Sequence, residues 1–192
     1  MMLRALDTVL FSLRELVSPQ HCEICNKYLG NQVKRMEYVC DSCLDSLDSP
    51  PSQHELYNRL SRNFKQDDLS ISSIFSLIAA GHSSPIMEVI YSLKYRGISR
   101  IGVDFGREIG KTMKHLGAAD FDVIIPIPIH HARIRERGYN QAERIAFGIS
   151  QVLLIKNLNN IIIRSRYTIS QTTLSASERE ENVVGVFKGG KD

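Results

Sequence analysis

The chain has 192 residues, 43% hydrophobic and 23% charged, with a net charge of +3. These values fit a globular chain of roughly one to two domains and exclude one too polar to bury a core; the charge is too small to imply a nucleic-acid partner by itself. No apolar run reaches the ~18 residues of a membrane-spanning helix.

Asp7 interrupts the apolar stretch of the first 17 residues, MMLRALDTVLFSLRELV, and no small-residue cleavage site follows, so it is not a secretory signal. Leu3, Val9, Leu10, Leu13 and Val17 fall near helical spacing. They predict a short amphipathic helix that docks on the protein itself. An interfacial membrane helix is the alternative, though basic residues are few there. A cytoplasmic location is expected.

Cys22, Cys25, Cys40 and Cys43 form two C-x-x-C pairs with fourteen residues between the inner cysteines. Each short turn brings two thiolates to one side of an ion, and the two turns complete a tetrahedron. Zinc prefers sulfur and suits a reducing compartment. Four thiolates close the shell, so a structural Zn2+ is expected, supplying on the order of 10 kcal/mol of folding energy. Two disulfides would need an oxidising compartment. A redox pair would need a single C-x-x-C beside a βαβ pattern.

Residues 44–68 are polar around Pro50-Pro51 and read as a linker with a short helix at most. Ile71, Ile74, Phe75, Leu77 and Ile78 make an apolar run of strand length that Gly81 ends. Ser84-Pro85 resembles a helix start, and Ile86, Val89, Ile90 and Leu93 continue a helix over 85–95 that Gly97 stops. Phe105, Ile109, Met113 and Leu116 predict another over 102–116. Residues 94–115 hold six Lys/Arg against two Asp/Glu, and residues 1–50 hold five against seven. That basic stretch is a solvated helix face or an anion-facing surface.

Residues 123–129 are nearly continuously apolar, as in buried parallel sheets. Pro126 and Pro128 cannot donate to a ladder, so pairing should end near Ile125. A stiff loop follows, with Arg133, Arg135, Arg137 and Gly138. Asn140 and Glu143 then resemble a capping box, and Ala142, Ile145, Ile149 and Val152 give the next helix its buried stripe. Residues 161–163 form a second short strand. Arginines beside a helix N-terminus suit phosphate, through guanidinium forks and free amides. Surface arginines paired with Glu136 and Glu143 are the alternative.

Taken together, these residues resemble the ComF family of phosphoribosyltransferase-like proteins. The resemblance rests on the four-cysteine ribbon, IYSLKYRG (90–97), PIPIHHARIRERGYNQAERIA (126–146), and Arg164, SQTTL (170–174), Arg179, Asn182 and Phe187 in order. It implies an α/β protein: a four-cysteine zinc ribbon over 1–48, a linker over 49–68, and over 69–192 a type I phosphoribosyltransferase-like domain with a Rossmann-like parallel sheet. Pro126, Pro128, Arg133, Arg137, Gly138, Asn140 and Gln141 would face phosphoribosyl pyrophosphate (PRPP) with Mg2+. Arg164, Gln171 and Arg179 would be catalytic residues in a hood over 164–187. Such a lid would exclude water during transfer; a plain surface loop is the alternative.

The family's acidic pair and Thr/Gly-rich phosphate loop do not occur before the chain ends at GVFKGGKD. The transferase domain is therefore expected to be truncated and marginally stable, without transferase activity by itself. Three functions stay open: a PRPP-binding transferase-like protein, a nucleic-acid or protein adaptor, and a nonfunctional fragment. The resemblance also implies DNA uptake during competence, with single-stranded DNA or competence helicase-type proteins as partners. Lys94, Arg96 and Arg100 are the expected DNA-facing surface.

Overall fold

The computed structural model describes residues 19–30, 34–62, 70–81, 83–118, 120–169 and 174–190. The expected N-terminal helix lies outside these residues. The ribbon opens with a tight turn: Cys22 N–H donates to the Lys27 carbonyl (2.9 Å) and Asn26 N–H to the Cys22 carbonyl (2.8 Å). Asn26 sits at φ 58°, a left-handed conformation that asparagine tolerates better than most residues. Two antiparallel bridges, His21 with Tyr28 and Met36 with Val39, hold the two arms. Helix α1 (Asp41–Asp45) begins directly after Cys40. Helix α2 (Gln53–Ser61) is the short helix expected in the linker, capped by the Ser52 hydroxyl accepting from Glu55 N–H.

The run 71–78, expected to be a strand, is not one. It finds no ladder partner among the described residues. Leu77 and Ile78 pack against the core instead, and Ala79 N–H donates to the Asp48 carbonyl at 3.1 Å. Helix α3 (Ile86–Tyr95) follows Pro85 as expected and buries Ile86, Val89 and Leu93; Gly97, at φ 76°, turns the chain out of it. Helix α4 (Arg100–His115) buries Ile101, Val103 and Phe105.

Strand β1 (Val123–Ile124), helix α5 (His131–Arg137), helix α6 (Gln141–Leu153) and strand β2 (Lys156–Asn157) form a β–α–β crossover. The strands are parallel, with Val123 opposite Lys156 and Ile124 opposite Asn157. The ladder stops at Ile124, just ahead of Pro126, as proline's missing N–H requires. The expected two-sided burial is not seen: Val123, Ile125 and Ile127 are exposed, because β2 is the single partner of β1 among the described residues. Strand β3 (Ile162–Arg164) pairs antiparallel with β4 (Phe187–Gly189) across helix α7 (Ala176–Val183). The architecture is mixed helix and strand with a small parallel pair.

The glycines of α4 face α6. A Cβ on Gly106 would lie 2.0 Å from the Ile145 carbonyl oxygen, and one on Gly148 2.1 Å from that of Val103. The expected stripe of α4 is accordingly shifted: Phe105 is buried, whereas Leu116 is exposed. One hydrophobic cluster joins Cys22, Leu29, Met36 and Val39 of the ribbon to Ile86, Val89, Leu93, Ile101, Phe105 and Tyr139. Each large apolar side chain there contributes roughly 1.5–3 kcal/mol, so the ribbon and the helices stabilise one shared core.

Candidate metal centre and a polar cleft

Among the described residues, the sulfurs of Cys22, Cys25, Cys40 and Cys43 all lie within 4.8 Å of one another. The Cys25 and Cys40 sulfurs are 3.8 Å apart, the edge of a tetrahedron with metal–sulfur bonds of about 2.3 Å. Burial would raise the Cys22 thiol, but backbone N–H groups of Cys25, Cys40 and Ile24 outweigh it and bring it down to about 7. Burial, hydrogen bonds to the other three sulfurs and the Cys22 charge push Cys43 up. One thiolate thus opposes the next, and a cation is what lets four coexist. The donor set fits a metal ion such as zinc and leaves no open coordination position.

Acidic side chains beside the cysteines fasten this centre to the helices. Glu23 accepts from the Ser92 hydroxyl and from Arg96 at 3.0 Å. Glu37 donates its N–H to Asp104 at 2.8 Å and pairs with Arg100 at 3.1 Å. Asp104 is 3% exposed and also meets Arg100 and Arg107. Burial raises its carboxyl above the ordinary range, against the Glu37 N–H and the two arginines. Two of the three cations expected to face DNA, Arg96 and Arg100, are therefore tied to the ribbon. Lys94 has no ion pair among the described residues.

A second site lies between the crossover and the antiparallel β3–β4 pair. Pro128, His131, Glu143, Asn160, Arg164 and Ser165 bound a cleft of about 370 Å³. Arg164 donates to the Thr168 hydroxyl at 2.6 Å, and Arg133 to the Thr168 carbonyl at 3.1 Å. Burial and the charge of Arg133 pull the Arg164 guanidinium below its ordinary value. The two predicted arginines thus converge on a buried threonine.

The remaining predicted residues separate. Arg133, Arg135 and Arg137 stand on α5, not on a loop. The helix exists because His130 Nδ1 accepts from Ala132 N–H (3.2 Å) and Gly138, at φ 81°, closes its end. Arg137 turns to the Gln141 amide oxygen (3.1 Å) and over the Tyr95 ring, away from the cleft. Pro126 is buried in the segment after β1. Asn140 caps α6, accepting from Ala142 N–H at 3.0 Å and donating to the Ile127 carbonyl at 3.1 Å. Glu143 takes the Asn140 side-chain amide (3.3 Å), so the expected reciprocal box is replaced by a side-chain pair. Arg179 is exposed on α7, which Ser175 and Glu178 start with a true capping box. Gln171 lies outside the described residues.

Sequence reasoning missed His130, His131, Tyr167 and Thr168. The histidine rings stack with centroids 3.9 Å apart, and Tyr167 meets His130 edge-on at 5.4 Å. Burial, then the charges of His131, Arg135 and Arg164, lower the His130 pKa. The adjacent histidines after two prolines were the available signal.

The chain is 44% identical over 66 residues to "Competence protein F" of Haemophilus influenzae, covering 34% of this chain and 29% of that protein. It is 27% identical over 113 residues to "DNA utilization protein YhgH" of Escherichia coli O6:H1, covering 57% of this chain and 50% of that protein. The Shigella flexneri protein of the same name matches equally, at 27% over 113 residues. The matched stretches thus span half or less of these relatives' lengths. No protein-family profile and no solved structure matches the chain. By descent the chain is a homologue of competence protein F and of the DNA utilization proteins.

Proposed function

We propose that the chain serves in the handling of DNA that a cell takes up, as an α/β protein stapled by a structural zinc ion. The observation that carries this reading is the 44% identity to a protein named for competence. The matches to proteins named for DNA utilization support it. Disruption of the gene in its natural host tests it, with internalised labelled DNA as the readout. The expected result is a loss of internalised DNA with surface-bound DNA unchanged. Unchanged internalisation would overturn the reading.

Within that function, we assign the cleft at Pro128, His131 and Arg164 to a phosphorylated small molecule of the PRPP kind, with Mg2+ offsetting part of its charge. Arg164 and His131 supply donors at the cleft wall, and a guanidinium fits phosphate oxygens. The reading concerns binding. Calorimetric titration of PRPP and Mg2+ into the full chain is expected to give saturable binding. R164A should weaken it roughly tenfold or more, as for a lost hydrogen bond to a charged group. Equal binding by R164A would rule the cleft out as the binding site. An adaptor built on Arg96 and Arg100 is disfavoured, because both already pair with Glu23 and Glu37.

A further inference from the structure

The solvent side of α3 carries Tyr91 and Tyr95, which are 49% and 61% exposed. Four residues apart, they stand one turn above each other, with ring centroids 4.9 Å apart and planes tilted by 46°. The Arg96 guanidinium lies 5.4 Å from the Tyr91 centroid, and that of Arg137 lies 5.3 Å from the Tyr95 centroid. Each ring therefore has one guanidinium near it and a tilted, unstacked ring as its neighbour.

Its charge is not balanced. Arg96 is offset by Glu23 and Glu88, at 3.0 and 3.8 Å. Arg137 hydrogen-bonds the neutral Gln141 and meets no carboxylate among the described residues. Lys94, also without an ion pair there, lies between the two tyrosines in sequence.

Exposed rings beside two uncompensated cations, Lys94 and Arg137, suit a chain that alternates flat aromatic groups with anions. Nucleobases offer π-faces, and the phosphates between them seek cations. A duplex keeps its bases stacked on one another, so the rings would find nothing to stack on. We propose that the Tyr91–Tyr95 ladder is a stacking platform for unpaired bases of a single-stranded nucleic acid, with Lys94 and Arg137 meeting its phosphates. The proposal rests on the DNA-handling reading above and adds where and how the strand is held.

Fluorescence anisotropy of a labelled oligothymidylate with the full chain tests it, at low and moderate salt. The wild type should bind, and binding should weaken with salt, as phosphate contacts require. Y91A/Y95A should weaken binding at least about fivefold, the loss of one stacked base. Y91F/Y95F, which keeps both rings, should bind like the wild type and shows that the loss follows stacking, not misfolding. Wild-type affinity in the alanine pair, an equal loss in the phenylalanine pair, no binding by the wild type, or equal affinity for blunt duplex would each overturn the platform. Any of these leaves the uptake experiment standing. Conversely, unchanged uptake on gene disruption would remove the DNA-handling reading without altering the anisotropy result.

Discussion

Asp104 joins the ribbon to α4 through one carboxylate, which takes the Glu37 N–H and two arginines while 3% exposed. Removing it leaves an amide and two cations without their acceptor. D104A should cost about 2–4 kcal/mol in urea unfolding, less than a fully buried pair because both arginines keep solvent contact. The carboxyl is raised in the folded state, so the native protein holds that proton more tightly than the unfolded chain. Its contribution to stability therefore falls as pH rises from the ordinary aspartate range through the raised value. D104N lacks this titration, so its stability relative to wild type should rise across that window in paired melts. A flat difference would contradict the assignment. Nothing in the sequence around Asp104 shows this role: it sits among basic residues of a helix face, and its partner Glu37 is 67 positions away. Asn140 was legible, because a cap acts within its own turn.

Helix ends were equally legible. Pro85 and Gly97 bound α3, and Gly138 closes α5. Helix faces were not. The apolar stripe Phe105, Ile109, Met113 and Leu116 suggested one packed side of α4. Gly102, Gly106 and Gly110, spaced by four, make the side that meets α6. A glycine stripe carries no hydrophobic signal, so periodicity of apolar residues overlooks it. G106A would drive a methyl to 2.0 Å from the Ile145 carbonyl oxygen. The expected cost is about 3 kcal/mol or more, a fall of roughly 6–12 °C in Tm for a chain of this size. G81A, where an added Cβ meets nothing within 4 Å, should change Tm little. The run 71–78 misled for the opposite reason. Leu77 and Ile78 pack on the core without a ladder while Ile71 stays exposed, and strand pairing depends on a distant partner that local composition does not reveal.

At the scale of the whole molecule, the clustering of the four cysteines was legible from spacing, because two short C-x-x-C turns bring four sulfurs to one point. The seat of that centre was not. Glu23 reaches Ser92 across 69 positions of sequence, and the hydrophobic cluster runs from Cys22 to Tyr139, across the boundary expected at 49–68. The four-cysteine ribbon is therefore part of the framework that sets α3 and α4, and with them the Tyr91–Tyr95 pair. The helices report this directly, because among the described residues the ribbon contributes only the five-residue α1 to the helical signal. The decisive measurement is thermal unfolding followed by helical circular dichroism, before and after a strong chelator strips the metal. Stripping should lower the helical transition by several degrees, and added zinc should restore it. A helical transition unmoved after complete metal removal would contradict a shared, metal-held core.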